Sequence, residues 1–193
     1  MNRAEGGYVA GAFWSLSPVV VVTSAKDGKV NGQVAVTVVN ASIVHSHPRL
    51  IVGIWKRNYT HSFITSSRSL AVHLLRRDQL EVVRRFGFYT GREMDKFEGL
   101  EHFTRETGSP LLADAHSWIE GVVINAMDGG DMTAFLVDVV GGGVNSGGEW
   151  MTLHSFYSDA PAEWLTQYES RLRESVEYSL GVIDKIDYTP WRP

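Results

Sequence analysis

The run Lys56-Arg57-Asn58-Tyr59-Thr60-His61-Ser62 carries two cations, an amide, an imidazole and the hydroxyls of Thr60 and Ser62. It follows a strand-like apolar stretch and opens a helical one. The first turn of a helix has unpaired N–H groups and a partial positive charge, so it binds phosphate readily. The same residues also suit a plain capped helix with a solvated basic lead-in. Asn31-Gly32-Gln33 offers a second chemistry. Glycine inside strand-like sequence marks a bulge or the close approach of a ligand. Asn31 and Gln33 add donors and acceptors that fit the polar edge of a heterocycle, and an ordinary hairpin strand accommodates them equally well. Among seven histidines, His45 and His47 lie two apart, with no second cluster at metal-ligand spacing, and read as polar loop residues. His73 alternates with leucine in an apolar run and reads as a hydrogen-bonded strand residue. There is no Gly-x-Ser-x-Gly, no phosphate loop, and no Gly-x-Gly-x-x-Gly after the first strand. With no cysteine present, thiol redox chemistry is excluded, and any redox function needs a bound organic cofactor.

The elements that must position these groups are mostly strands. Pro18–Ser24 is a β-branched run suited to a strand buried on both faces. Asp27-Gly28 is a turn signal, which makes Ser17–Val39 an expected hairpin. Leu50–Trp55 and Ser69–Leu75 read as further strands. Trp118–Met127 and Thr133–Val140 flank the turn Asp128-Gly129-Gly130-Asp131. About six hairpin-linked strands predict a closed antiparallel barrel with helical insertions. Asn58 is placed to cap a helix through Arg68. Asp78-Gln79-Leu80-Glu81 resembles a capping box and opens a helix through Phe86. Trp164, Tyr168, Leu172, Val176 and Leu180 recur every four residues, predicting a C-terminal helix over Pro161–Ile183. Gly141–Gly148 reads as the link to it.

Composition narrows the classes. The chain has 193 residues and a formal net charge of -4, enough for one domain with its own core. Mild acidity argues against nucleic-acid binding. No apolar stretch reaches membrane-span length, and no secretory signal is visible, so a cytoplasmic location is expected, with no membrane partner.

In order and spacing, these segments resemble the flavin reductase-like family of the FMN-binding split barrel. Pro18–Ser24 looks like its first strand and Asn31–Thr37 like its second. Pro48 with Leu50–Trp55 resembles the third, and Lys56–His61 the stretch that receives the flavin phosphate. Asp95-Lys96-Phe97 and Thr107-Gly108-Ser109-Pro110-Leu111 resemble two further landmarks. Gly121 stands where relatives often carry cysteine. The resemblance implies a mainly β fold: an antiparallel, Greek-key-like split β-barrel over residues 17–140. Residues 1–16 would be an extension, and 141–193 a link and helix given to dimer contacts, with Trp164 leading the stripe. It implies noncovalent FMN lined by Asn31, Gly32, Gln33, Thr37, Asn40, Ala41 and Ser42. Lys56, Asn58, Thr60 and His61 would hold its phosphate. It implies a homodimeric NAD(P)H-dependent flavin reductase, using NADH or NADPH and passing electrons to free flavin, a monooxygenase or another redox partner. Catalysis would reside in the flavin, with no metal. A flavoredoxin-like electron carrier and a non-catalytic flavin-binding module are the alternatives. Gly130-Asp131-Met132 stands where many reductases of the family carry Gly-Asp-His, a histidine associated with the nicotinamide and flavin region; methionine neither donates a hydrogen bond nor carries a charge.

Overall fold

The computed structural model describes Ala10 and residues 17–191. Apart from Ala10, the expected N-terminal extension lies outside the described residues. The first hairpin joins β1 (Val20–Lys26) to β2 (Lys29–Ala35), in register from Val20↔Ala35 to Lys26↔Lys29. Its turn places Asp27 at φ 50° and Gly28 at φ 72°. Two successive left-handed residues match the twist of the flanking strands, and Asp-Gly tolerates them. The chain continues through β3 (Val38–Asn40), β4 (Arg49–Trp55), α1 (Tyr59–Ser67), β5 (Ser69–Leu74) and α2 (Leu80–Phe88). It then runs through β6 (His102–Phe103), β7 (Leu111–Leu112), β8 (Ser117–Asp128), β9 (Met132–Val144), α3 (Leu153–Asp159) and α4 (Ala162–Leu180).

Seven strands form one curled antiparallel sheet in the order β2-β1-β5-β8-β9-β4-β3. The protein is therefore mainly β, a split barrel with helices laid against it. The valine run of β1 has a direct cause. Val19 and Val21 point to an outer layer with Val83, Phe86, Phe88, Phe156 and Trp164. Val20 and Val22 point inside, against Val52, Ile54, Ile64, Phe135 and Val137. Side chains alternate along a strand, so a strand buried on both faces is apolar at every position.

The structure departs from expectation in particular places. The first hairpin ends at Ala35, and Val38–Asn40 pairs with β4 instead. The capping box at α2 does not form. Asp78 pairs with Arg76, the Gln79 Oε1 accepts from the Arg76 N–H, and Gln79 itself stands at the cap. The glycine-rich segment is not a linker from Gly141. β9 runs through Val144, with Gly141 and Gly143 opposite Glu120 and Trp118. A Cβ on Gly141 would lie 3.0 Å from Glu120 Oε1, and one on Gly143 2.9 Å from the Trp118 ring. Those glycines make room for cross-strand side chains. α3 was not anticipated; Thr152 and Ser155 form its capping box. In α4, Trp164 is buried in the outer core and Tyr168 stacks on Phe88, so the head of the stripe packs within its own chain. Val176 and Leu180, further along, are exposed.

Candidate functional site

β2 and the start of α1 meet inside the barrel. Asn31 and Gln33 lie on the face of β2 that carries their partners Ser24 and Val22 on β1. Asn31 is buried, and its Nδ2 donates to Thr60 Oγ1 at 3.0 Å. Thr60, also buried, sits in the first turn of α1. Asn58 caps that helix with extended backbone but no side-chain hydrogen bond, and no acidic residue stands in the first turn. The helix end therefore keeps its positive character and free N–H groups. Gln33 is buried as well. Its Nε2 donates to Val34 O at 3.4 Å, while its Oε1 has no partner among the described residues.

Gly32 faces the other way. A Cβ there would lie 2.8 Å from the Phe86 ring, and the Gly32 carbonyl accepts from Lys96 Nζ at 3.0 Å. Its missing side chain makes room for the outer core. Lys96 also donates to Phe86 O at 2.9 Å, so one buried ammonium ties β2 to the last turn of α2.

The basic lead-in is already engaged. Lys56 Nζ donates to both carboxylate oxygens of Asp128 at 2.6 Å. This bond, with a further one from the Gly130 N–H, holds the Asp128 carboxyl below the usual carboxylate range. Arg57 reaches α4, its guanidinium 5.2 Å from the Tyr178 ring and its Nη1 donating to Glu174 O at 3.4 Å. His61 Nε2 bonds Thr133 Oγ1 at 2.8 Å. Burial, then the Lys56 charge, lowers the imidazole pKa below its ordinary value, with Asp128 opposing. Residues after α4 close over this corner. The Ile183 carbonyl occupies the space a Cβ on Gly130 would need, and the Asp187 N–H reaches Asp128.

The other sequence candidates are dispersed. Thr37 lies on Gly53, whose N–H donates to the Thr37 carbonyl at 2.8 Å. Asn40 is the last residue of β3, opposite Leu50, and Ala41 and Ser42 follow it. Ser42 N donates to Asn40 Oδ1 at 3.3 Å, and Ala41 N donates across the loop to Arg49 O at 2.8 Å. Arg92, which no sequence argument singled out, stands 4.6 Å over the ring of Tyr59, the first residue of α1. The only hint of it was a basic residue after Thr90-Gly91, between a helix and the Asp-Lys-Phe landmark.

Residues 15–160 match the family described as "Flavin reductase like domain". The chain belongs to this family. It is 36% identical over 139 residues to the high molecular weight rubredoxin of Moorella thermoacetica, a match covering 71% of this chain and 59% of that protein. The chain thus spans less than two thirds of that relative's length. It is 33% identical over 150 residues to a ferric-chelate reductase (NAD(P)H) of Archaeoglobus fulgidus, covering 76% of this chain and 87% of the other. The crystal structure of an FMN-binding protein from Thermus thermophilus superposes with a TM-score of 0.62 at 26% identity, over 67% of this chain and 71% of that one.

In this flavin reductase-like domain, two observations fit the family's cofactor, FMN. The buried Gln33 Oε1 has no donor among the described residues, and the start of α1 has no side-chain cap and no acidic residue in its first turn. FMN carries an imide N–H, complementary to the first, and a phosphate, complementary to the second. Met132 replaces the histidine expected in the Gly-Asp-His position. A Cβ on Gly53 would lie 2.8 Å from Met132 Sδ and 2.7 Å from Thr37 Cγ2, so the thioether fills the hollow over Gly53. Thioether sulfur donates no hydrogen bond. Among the described residues no group of His, Asp and Glu is arranged to hold a metal, and no helix is long and apolar enough to cross a membrane.

Proposed function

We propose that this chain is an NAD(P)H-dependent flavin reductase that holds FMN noncovalently between β2 and the start of α1. The observation that carries this reading is the partnerless Gln33 Oε1, buried on the same strand face as Asn31 in a member of this family. A buried acceptor left unpaired costs about 1–3 kcal/mol, and a ring N–H would relieve that cost. Asn31, Gln33 and Thr37 would orient the ring, with Gly32 holding the strand close. Asn40, Ala41 and Ser42 would border the ribityl chain. Asn58, Thr60 and the free N–H groups of α1 would receive the phosphate, with His61 in the same helical turn. When bound, FMN supplies hydride acceptance and onward electron transfer; the protein binds, orients and excludes water. The acceptor would be free flavin, a monooxygenase or another redox protein.

Purified protein titrated with FMN should quench flavin fluorescence and become yellow, and NADH or NADPH should bleach it. Protein that binds no FMN refutes the reading. Met132 favours a second one, a flavoredoxin-like carrier reduced by a protein donor. Stopped-flow traces with negligible bleaching by both nicotinamides, but fast reduction by a redox protein, would select the carrier.

We also propose a homodimer. Val39, Ile51 and Val122 are exposed on one face of β3, β4 and β8, around the exposed Arg49–Asp138 ion pair, a mixed apolar and charged patch suited to a second copy. Sedimentation equilibrium at micromolar concentration tests this, and a monomer would refute it.

A further inference from the structure

A phosphate seated at the start of α1 calls for a cation, and the basic side chains nearest in sequence are committed elsewhere. Lys56 is clasped by both oxygens of Asp128 at 2.6 Å. Arg57 is turned toward Tyr178 and the Glu174 carbonyl. Arg92 is different. Its guanidinium rests 4.6 Å over the ring of Tyr59, which opens α1, and it has no carboxylate partner among the described residues. Its neighbour Gly91 is pressed against Asn31 Oδ1, in the space a Cβ would fill. Asn31 in turn donates to Thr60 in the first turn of α1. The sequence Gly91-Arg92 is thereby held at the same helix end as Thr60, on the Asn31 side, and the buried, partnerless Gln33 oxygen lies two residues along the same strand.

We propose that Arg92, rather than Lys56, is the cation that receives the flavin phosphate. This rests on the FMN reading above. A guanidinium presents a planar fork that matches two phosphate oxygens, which an ammonium does not. Stacking on Tyr59 holds the fork in place before the ligand arrives, so less freedom is lost on binding. Tyr59, Asn31 and Gly91 then act as positioning residues for Arg92, and Lys56 ties the end of β4 to the β8–β9 turn.

The test compares FMN with riboflavin, which has the same ring and ribityl chain and no phosphate. Each is titrated by flavin fluorescence at low ionic strength against the wild-type chain, Arg92→Ala, Arg92→Lys and Lys56→Gln. Arg92→Ala should weaken FMN about 10- to 100-fold, the range for a charge-assisted bond, and leave riboflavin within about threefold. Arg92→Lys should recover only part of the loss. Lys56→Gln should leave the FMN-to-riboflavin ratio within about threefold of wild type, since its charge is spent on Asp128. Arg92 is exposed, and an unchanged melting temperature will establish that its variants fold. Unchanged FMN affinity in Arg92→Ala overturns the assignment. So does an equal loss for both flavins, or a phosphate-specific loss confined to Lys56→Gln. Wild-type protein that binds neither flavin refutes the FMN reading itself, and the assignment with it; the other outcomes refute the assignment alone.

Discussion

His73 lies on β5 with no exposed surface, and lowering the pH should turn it against the fold. Its Nδ1 bonds the Val21 carbonyl at 2.9 Å, and its Nε2 accepts from the Leu112 N–H at 3.1 Å. The Leu112 donor fixes Nε2 as the acceptor, so the single proton sits on Nδ1. A second proton would face that N–H and bring charge into the core. Burial accordingly lowers the pKa from 6.5 to about 4. Between those values the unfolded chain takes up a proton that the folded chain refuses. The contribution to stability is complete above pH 6.5 and is lost as the pH falls toward 4. At 1.36 kcal/mol per unit, that gap corresponds to about 3 kcal/mol. Urea unfolding of wild type and His73→Gln at a series of pH values measures it. Carboxylates and the other histidines titrate in both proteins, so the difference in slope isolates His73. Wild type should lose about 3 kcal/mol more than the variant between roughly pH 7 and pH 4. Parallel pH profiles, or an NMR titration placing the ring near its ordinary value, would refute the argument.

Three further predictions concern residues around the sheet. Gly121→Ala should destabilise by about 1–3 kcal/mol in chemical denaturation, because a Cβ would lie 2.5 Å from Val137 Cγ1 and 2.6 Å from the Asp138 carbonyl. Gly121→Cys, which puts a larger side chain in the same crowded space, should be no better. Glu120 is buried and accepts from the Glu106 N–H at 3.1 Å, the Thr107 N–H at 2.8 Å and the Thr107 hydroxyl at 2.8 Å. Glu120→Gln turns one acceptor into a donor facing donors, and should cost about 2 kcal/mol and speed hydrogen exchange at Thr107. Burial, with Arg171 adding, lowers the Lys96 pKa from 10.5 to about 8, so between those values the unfolded chain binds the proton more tightly. Stability attributable to Lys96 should therefore rise with pH through that window, and Lys96→Met should abolish the rise while costing about 2 kcal/mol at neutral pH from two unpaired carbonyls.

Local chemistry was legible in the sequence, and distant partnership was not. The valine run, the Asp27-Gly28 turn and the start of α1 after Asn58 each follow from neighbours within a few residues. The meeting of Asn31 with Thr60 was anticipated only as membership of one site; the hydrogen bond itself crosses 29 positions. The charge at Lys56 looked available because its partner, Asp128, is 72 positions away. Gly141 and Gly143 read as a flexible link because nothing nearby says that Glu120 and Trp118 need the space. Arg92 was silent for the same reason: its meaning comes from Tyr59, on another element. Gln79 displaced the expected cap at Asp78 because Arg76 and Asp114 compete for the same groups.

Residues 183–191 also have a kinetic consequence. Trp191 packs against the inner core, with the Arg68 guanidinium 5.5 Å over its ring, while Ile183 and Asp187 rest on the β8–β9 turn. The Arg68–Trp191 contact joins positions more than half the chain apart, so closure of this segment comes late in folding and makes a unit able to open without unmaking the barrel. In a variant retaining Trp191 as its one indole, refolding should give two fluorescence phases under native conditions, the slower marking the moment the segment seats. That slower phase would time completion of the whole molecule, since nothing upstream can reproduce it.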